Sequence, residues 1–115
     1  MKPIIIRNET ILRLFSIFMK IDGITLFPFI FIIKDPPKTL LNHETIHFIQ
    51  AKETFIIPFY IIYLFDFIKH YIKYRDTNKA YHLIRFEREA YANQFDDLYL
   101  NRRQKHNWRK YNYVN

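Results

Sequence analysis

The chain has no cysteine and a single glycine among its 115 residues. Without cysteine, the protein has no disulfide bonds, no thiolate metal sites, no iron–sulfur clusters and no cysteine nucleophile. The one glycine, Gly23, leaves almost no room for the glycine-rich loops that cradle phosphate groups. Any metal site must therefore be built from histidine and carboxylate ligands.

Long hydrophobic runs are also absent. The longest uncharged run, residues 54–65, has 12 residues, whereas a helix that crosses a bilayer needs about 20. The first 33 residues contain apolar stretches, but Arg13, Lys20 and Asp22 interrupt them and no small-residue cleavage site follows. We therefore expect no signal peptide, no transmembrane span and a cytoplasmic location. Shallow membrane contact through the Phe-, Ile- and Tyr-rich segment is the alternative.

Acidic residues are missing from the last part of the chain. Asp97 is the last of them, although the net charge of the whole chain is +7. Five basic residues follow it: Arg102, Arg103, Lys105, Arg109 and Lys110. We interpret residues 1–100 as one compact domain and residues 101–115 as a basic C-terminal tail. With Trp108, the tail could contact nucleic acid or an anionic membrane; the alternative is a solubilising, partly frayed terminus.

A first helix and a short strand are predicted near the N-terminus. Asn8 is a suitable N-cap for a helix that runs to about Ile21. Residues 24–33 are β-branched and aromatic and lie between Gly23 and two prolines, which predicts a strand. Pro28 lies inside this segment and cannot donate a hydrogen bond to a neighbouring strand. Its position favours an edge strand or a bulge.

Three further helices are predicted. The first covers residues 39–52, with the threonine at its start as the cap. The second, residues 55–74, is apolar nearly all round, so we expect it at the centre of a helical bundle. The third begins after a cap at Asp76 or Thr77 and ends near Leu100. The fold class is therefore α+β and mainly α. It has about four helices, and a small edge strand or sheet precedes the helix of residues 39–52.

The segment His43-Glu44-Thr45-Ile46-His47 places two histidines four residues apart. Successive helical residues turn by about 100°, so the two imidazoles project about 40° apart and can bind one metal ion. Zinc binds imidazole well, and a catalytic zinc site needs three protein ligands. Glu44 lies one step round the helix, where its carboxylate can accept a proton from a water that the ion activates. Two surface histidines on an amphipathic helix are the alternative.

The missing third ligand is expected among carboxylates further along the chain. In the segment RFEREAYANQFDD, a helical wheel puts Glu87 in the middle of an apolar stripe and Glu89 on the opposite, solvent-facing side. A buried carboxylate without a partner is costly, so Glu87 needs a cation. A metal ion shared with the two histidines would provide it. The alternative is an ion pair with one of three arginines: Arg7, Arg13 or Arg75.

The two motifs together resemble those of the zincins, the HExxH zinc metallopeptidases. The sequence is most similar to the gluzincins, and among them to the minigluzincins, whose third ligand is the glutamate that begins a motif such as EREA at Glu87. The resemblance implies a zinc ion bound by His43, His47 and Glu87, with Glu44 as the general base acting on a peptide or protein substrate. It also implies a substrate cleft along the strand that precedes the HExxH helix.

The resemblance leaves the supporting residues open. Tyr91 stands where these families usually have aspartate or asparagine, a residue that hydrogen-bonds a metal-binding histidine. Three side chains are candidates for that role: Gln50, Asp66 and Asn42. Transition-state stabilisation also needs a hydrogen-bond donor to the developing oxyanion. We prefer Tyr91 as this donor, because it lies one turn from Glu87, and Tyr63 or His70 is the alternative.

Three functions are compatible with these motifs. The leading hypothesis is a small zinc-dependent metallopeptidase-like hydrolase. The second is a catalytically degenerate protein of the same fold, in which structural zinc holds the helices together and the protein acts as a binding module. The third is a nucleic-acid or membrane-surface module driven by residues 101–115. The oligomeric state is not readable from the sequence.

Overall fold

The computed structural model describes residues 2–16 and 21–111. Six α-helices and a three-stranded sheet are found in these residues, which confirms the predicted α+β, mainly α fold class. The strands are β1 (Ile4–Arg7), β2 (Gly23–Leu26) and β3 (Phe29–Ile32). The helices are α1 (Glu9–Phe15), α2 (Lys38–Glu53), α3 (Ile57–Tyr74), α4 (Thr77–Leu83), α5 (Arg85–Asn93) and α6 (Tyr99–Arg102), followed by a 3-10 helix (Asn107–Tyr111).

Helix α1 begins where the sequence predicts. The side chain of Asn8 accepts hydrogen bonds from the backbone N–H groups of Thr10 and Ile11, at 2.9 and 3.2 Å. These bonds satisfy two of the donors that a helix leaves free in its first turn. Residues 17–20 of the predicted helix lie outside the described residues.

The sheet corrects the prediction of a single strand over residues 24–33. This segment forms a hairpin of β2 and β3, because Phe27 and Pro28 make a two-residue turn between them. The Phe27–Pro28 peptide bond is cis, and proline fits a turn better than a strand interior, where its missing donor would break the ladder. The strand order is β1-β3-β2, with β1 parallel and β2 antiparallel to the central β3. β2 is therefore an edge strand, and one of its two sides has no neighbouring strand among the described residues.

Helix α2 is the centre of the fold and joins three hydrophobic clusters. Its Phe48 packs with buried Ile30 and Ile32 of the sheet, its Ile46 belongs to a cluster with α5 and α6, and its Ala51 to one with α3 and α5. The predicted helix over residues 39–52 agrees with α2 to within one residue at either end. Its N-cap is the residue before Lys38, a proline that makes no side-chain hydrogen bond.

Helix α3 is not the central helix that its composition predicts. Only Phe59, Asp66 and His70 are buried, and most of its apolar side chains face away from the protein. Phe55 and Ile56 reverse the chain before it with positive φ angles of 64° and 74°. Apolar composition was misleading here because it does not reveal whether other elements cover every side of a helix.

No single helix among the described residues is both long and apolar enough to cross a bilayer. Helices α2 and α3 reach the necessary length and composition only as a pair, and they are bent by 116° at the break between them.

The predicted last helix is divided into three. Asp76 caps α4 by accepting a hydrogen bond from the backbone N–H of Lys79 at 3.1 Å. Ile84 then adopts an extended conformation, with φ −58° and ψ 131°, and separates α4 from α5. The break allows α5 to turn towards α2, and the two helices pack together.

The described part of the basic C-terminal segment packs against the preceding helices. The Arg103 side chain is only 3% exposed and makes ion pairs with Glu53 of α2 and Glu89 of α5. Trp108 is buried and packs on Phe86, with ring centroids 4.8 Å apart. The physical reason is that Arg103 supplies the counter-ion of two carboxylates shielded from solvent, and Trp108 covers the ring of Phe86. The described part of residues 101–115 therefore belongs to the folded domain.

Candidate metal centre

The two histidines of α2 lie side by side in the interior. His43 and His47 are both buried, and their Nε2 atoms are 3.1 Å apart. This is the arrangement expected for residues one helical turn apart on the same face. Each ring thus directs its Nε2 atom towards the same point.

Glu87 of α5 completes a cluster with these two nitrogens. Its Oε1 lies 2.9 Å from Nε2 of His43 and 3.0 Å from Nε2 of His47. Its Oε2 accepts a hydrogen bond of 2.6 Å from the hydroxyl of Tyr63 on α3. The three predicted ligands are therefore brought together, and the described ion pairs of Glu87 are with histidines rather than with Arg7, Arg13 or Arg75. One ligand atom from each member lies within 4.8 Å of the others.

The side-chain amide of Gln50 determines which nitrogen of His47 carries a proton. Its Nε2 donates to the carbonyl oxygen of Phe86 at 3.1 Å and to Oε1 of Glu89 at 2.9 Å. Its Oε1 must then face Nδ1 of His47, 2.8 Å away. Because an amide oxygen only accepts, Nδ1 of His47 carries the hydrogen. In the neutral ring, Nε2 therefore offers a lone pair to the cluster.

A second glutamine faces His43. Oε1 of Gln94, at the C-cap of α5, lies 2.8 Å from Nδ1 of His43. The side chain of Asn42 donates to the backbone carbonyl of Gln94 at 3.0 Å and to Asp97 at 2.9 Å. Such outer contacts orient metal-binding imidazoles and fix their tautomers. Of the three expected supporting residues, Gln50 contacts a histidine directly, Asn42 acts through Gln94, and Asp66 is instead paired with Arg85.

The donor chemistry of the cluster requires a cation. Two imidazole lone pairs and a carboxylate oxygen converge in a buried site, and without a shared proton or a metal ion they repel one another. Burial opposes protonation of His47, but the charge and hydrogen bond of Glu87 outweigh it and raise the pKa of His47 to about 9. Burial likewise raises the pKa of Glu87, yet His47 and His43 hold it well below its usual range. The residues fit a divalent ion that accepts two nitrogens and one oxygen.

Glu44 lies beside the cluster without belonging to it. It is buried, and burial raises its pKa although His47 and His43 act in the opposite direction. Oγ1 of Thr25 on β2 donates to its Oε1 at 3.0 Å. A Cβ atom at Gly23 would lie 3.1 Å from Cγ of Glu44, so the single glycine of the chain allows the edge strand to approach this side chain closely.

Two cavities open next to the cluster. The smaller one, of about 180 Å³, has walls from β2 and α3 that are mostly apolar and is also lined by Glu44, His47 and Glu87. The larger one, of about 350 Å³, is lined by His43 and Glu44 together with more polar side chains. Glu44 and Tyr81 line both cavities, so the space beside the cluster is accessible from two directions.

Tyr91 lies at the edge of the cluster, where it packs against His43. Its ring packs edge-on against the ring of His43 with centroids 4.4 Å apart, and its hydroxyl lies 3.2 Å from the hydroxyl of Tyr81. Of the alternative donors, Tyr63 lies at the cluster but its hydroxyl donates to Glu87, and His70 stacks on Tyr74.

Glu89 corrects the helical-wheel prediction of a solvent-facing side chain. It is 0% exposed and accepts hydrogen bonds from Arg103, Tyr99 and Gln50. It is buried because Gln50 of α2 and Arg103 of a segment distant in sequence both contact it. Gln94 was missed as well, since it lies at the end of α5, where no periodicity marks it. Gln50 carried a signal, because it continues the histidine face of α2.

Comparison with known proteins gives no assignment. No family model matches the chain, and neither a curated protein nor a solved structure is similar to it. The cluster, Glu44 and the two cavities are the features of the described residues that bear on function.

Proposed function

We propose that the protein is a small zinc-dependent hydrolase that cleaves peptide bonds, a metallopeptidase of the gluzincin type. The observation that carries the proposal is the convergence of His43, His47 and Glu87, with both Nδ1 atoms held by glutamine oxygens. Two histidines and one glutamate form a ligand set that catalytic zinc uses in peptidases. When bound, zinc supplies a Lewis acid that polarises a carbonyl and activates water at neutral pH.

Glu44 is the general base in this proposal. Glu44 adjoins the ligands but accepts its hydrogen bond from Thr25. Its carboxylate is therefore held beside the cluster, where it can take part in proton transfer. A pKa raised by burial brings a carboxylate closer to neutral pH, where it can take a proton and return it to a leaving amine. Gly23 and Thr25 of β2 hold the side chain in place from one side.

The edge strand β2 supports a peptide as the substrate. Its residues Gly23 and Thr25 line the same cavity as Glu44. Tyr60 occupies one end of the free edge, donating to the carbonyl of Thr25 at 3.2 Å and accepting from the N–H of Phe27 at 2.8 Å. An extended peptide can add to the rest of the edge through main-chain hydrogen bonds. Its scissile carbonyl would then lie next to the cluster.

Tyr91 and Tyr81 together are the candidates for the oxyanion donor. The two hydroxyls are 3.2 Å apart, and Tyr81 lines both cavities with Glu44. Burial raises the pKa of Tyr91, so its hydroxyl keeps its proton at neutral pH. A protonated hydroxyl aimed at a developing negative charge lowers the barrier of acyl transfer.

Zinc content tests the ligand set. We expect close to one zinc per chain in the wild type after dialysis, measured by elemental analysis. Glu87→Gln keeps the shape of the side chain but removes its charge and should lose the metal. Glu44→Gln is the matched control and should keep it. Equal zinc content in wild type and Glu87→Gln would rule out Glu87 as a ligand.

Peptide cleavage separates an enzyme from a protein with structural zinc. We expect a mixture of unstructured peptides to be cut by the wild type, and Glu44→Gln to be slower by at least about 100-fold, the usual contribution of a general base. Unchanged cleavage by Glu44→Gln would identify another base or a contaminating protease. Full zinc content without any cleavage in the wild type would favour the structural role.

A further inference from the structure

Helix α3 turns a broad apolar surface towards solvent. Six large side chains form it, each between 46% and 67% exposed: Ile57, Ile61, Leu64, Phe65, Ile68 and Ile72. We call these six residues the α3 seam. At about 100° per residue they fall within roughly 100° of the helix circumference and extend over most of its 18 residues. Soluble monomers rarely expose a contiguous apolar surface of this length.

The spacing within the α3 seam follows a heptad pattern. Ile57, Ile61, Leu64 and Ile68 are separated by four, three and four residues, and Tyr71 follows after three more. Alternating steps of four and three keep a line of side chains facing a partner helix along its whole length. Phe65 and Ile72 widen this line on one side. The pattern is therefore suited to a second helix rather than to a globular surface.

The exposed area is large enough to form the centre of a dimer interface. Six large apolar side chains, each about half exposed or more, amount to several hundred Å² of contiguous apolar surface. Stable interfaces bury about 800 Å² per partner, including a polar rim. The α3 seam alone can thus supply the apolar centre of such an interface.

The charges around the α3 seam determine the orientation of a partner. Lys69, Lys73 and Arg75 all lie towards the C-terminal end of α3, and the one acidic residue of the helix, Asp66, is buried against Arg85. Two helices packed in parallel would bring the basic ends together. An antiparallel pair places each basic end beside the uncharged start of the other helix, which avoids this repulsion.

We propose that a second copy of this chain packs antiparallel on the α3 seam and forms a two-fold symmetric dimer. The metal cluster is not covered by this contact, because Phe59, Tyr60 and Tyr63 line the cavity from the opposite side of α3. A bilayer is the rival occupant of such a surface. The heptad spacing favours a helix, and the lysines Lys69 and Lys73 lie only towards the C-terminal end of α3, whereas a helix lying in a membrane is rich in basic residues along its polar face.

The mass in solution tests the dimer. We expect the full chain to have twice the mass of one copy in light scattering or sedimentation at micromolar concentration, and Leu64→Glu to have the mass of a single copy. Leu14→Glu is the matched control, because Leu14 is a helical leucine of similar exposure, 65% against 58%, outside the seam. It should leave the mass doubled. A wild type with the mass of one copy, or equal effects of the two variants, would overturn the proposal.

A cross-linking experiment gives a second test that does not depend on disrupting the fold. The chain has no cysteine, so a single introduced thiol can react only with its counterpart in another copy. Under mild oxidation, Leu64→Cys should form covalent dimers, since position 64 lies near the proposed two-fold axis, whereas Leu14→Cys should form no covalent link between copies. For the antiparallel orientation, a mixture of Ile57→Cys and Ile72→Cys chains should form the mixed dimer in preference to either homodimer. Preferential formation of the homodimers would contradict the antiparallel arrangement.

Lipid vesicles distinguish the rival occupant. Vesicles of phosphatidylcholine with phosphatidylserine should leave the wild type in the unbound fraction during flotation, because the α3 seam is already covered by a second copy. Flotation of a monomeric wild type, abolished by Leu64→Glu and kept by Leu14→Glu, would assign the surface to a membrane instead.

Discussion

The outer hydrogen bonds of His43 and His47 are the residue-scale feature that most strengthens the case for a metal. Each Nδ1 atom contacts a glutamine oxygen at 2.8 Å, so each Nε2 atom is left to bind. Two core histidines that bound no metal would not both need an acceptor at Nδ1 that leaves Nε2 facing the cluster. In the proposed metal site, the glutamines would preorganise the two candidate ligands.

Gln94→Leu tests this orientation of His43. Leucine has a similar volume but cannot accept the Nδ1 hydrogen, so the ring loses its fixed tautomer and angle. We expect zinc affinity to fall by about 10–100-fold, the usual cost of removing such a support. Competition with a fluorescent zinc chelator measures this change.

Gln104→Leu is the control for that variant, because Gln104 is an exposed glutamine in the loop before the 3-10 helix. Its zinc affinity should equal that of the wild type. The same affinity for Gln94→Leu and wild type would show that the contact does not orient His43.

At the scale of elements, α5 is held from two sides. Its Glu87 faces α2, whereas its Glu89 faces the segment that follows α6. Burial alone would raise the pKa of Glu89, but hydrogen bonds from Arg103 and Tyr99 lower it below its usual range. Arg103 also bonds both carboxylate oxygens of Glu53, so one guanidinium links α2, α5 and the C-terminal segment.

Arg103→Met should destabilise the fold strongly. Methionine retains much of the volume but leaves Glu89 buried without its counter-ion, a change that typically costs about 3–5 kcal/mol. Chemical denaturation followed by circular dichroism measures the free energy of unfolding.

Arg102→Met provides the comparison, because the neighbouring Arg102 is exposed and pairs with Asp96 at the surface. Exposed ion pairs contribute little to stability, so this variant should behave like the wild type. Equal stabilities of the two variants would mean that the C-terminal segment does not hold α5.

For the whole molecule, the candidate ligands connect parts of the chain that are far apart in sequence. His43 and His47 belong to α2, and Glu87 to α5 more than 40 residues later. A bound ion would therefore link two helices of the core. Ligands that bind only the folded state stabilise it by mass action.

Zinc should raise the thermal midpoint of the wild type. At a free concentration of about 100 times its dissociation constant, a ligand adds about 2.7 kcal/mol to the stability of the folded state. Glu87→Gln should show no such rise, and a chelator should reverse it in the wild type. Differential scanning calorimetry with and without zinc measures the shift; an equal rise in both proteins would place the binding elsewhere.

The sequence by itself determined the features that depend on local periodicity. His43 and His47 share a face because four residues make about one helical turn. The apolar stripe predicted that Glu87 is buried, although the break at Ile84 leaves only part of that stripe on α5. The caps at Asn8 and Asp76 also follow from short-range hydrogen bonding. Each of these properties depends on residues close together in the chain.

Only the tertiary structure decided which surfaces meet. Glu89 is buried because Arg103 covers it, and the apolar side of α3 is exposed because no described element packs over it. Gln94 contacts His43 from the C-terminal end of α5, and the sequence did not predict that α5 is a separate helix. These contacts join residues that are distant along the chain, and their formation depends on the packing of whole elements, which no local pattern encodes.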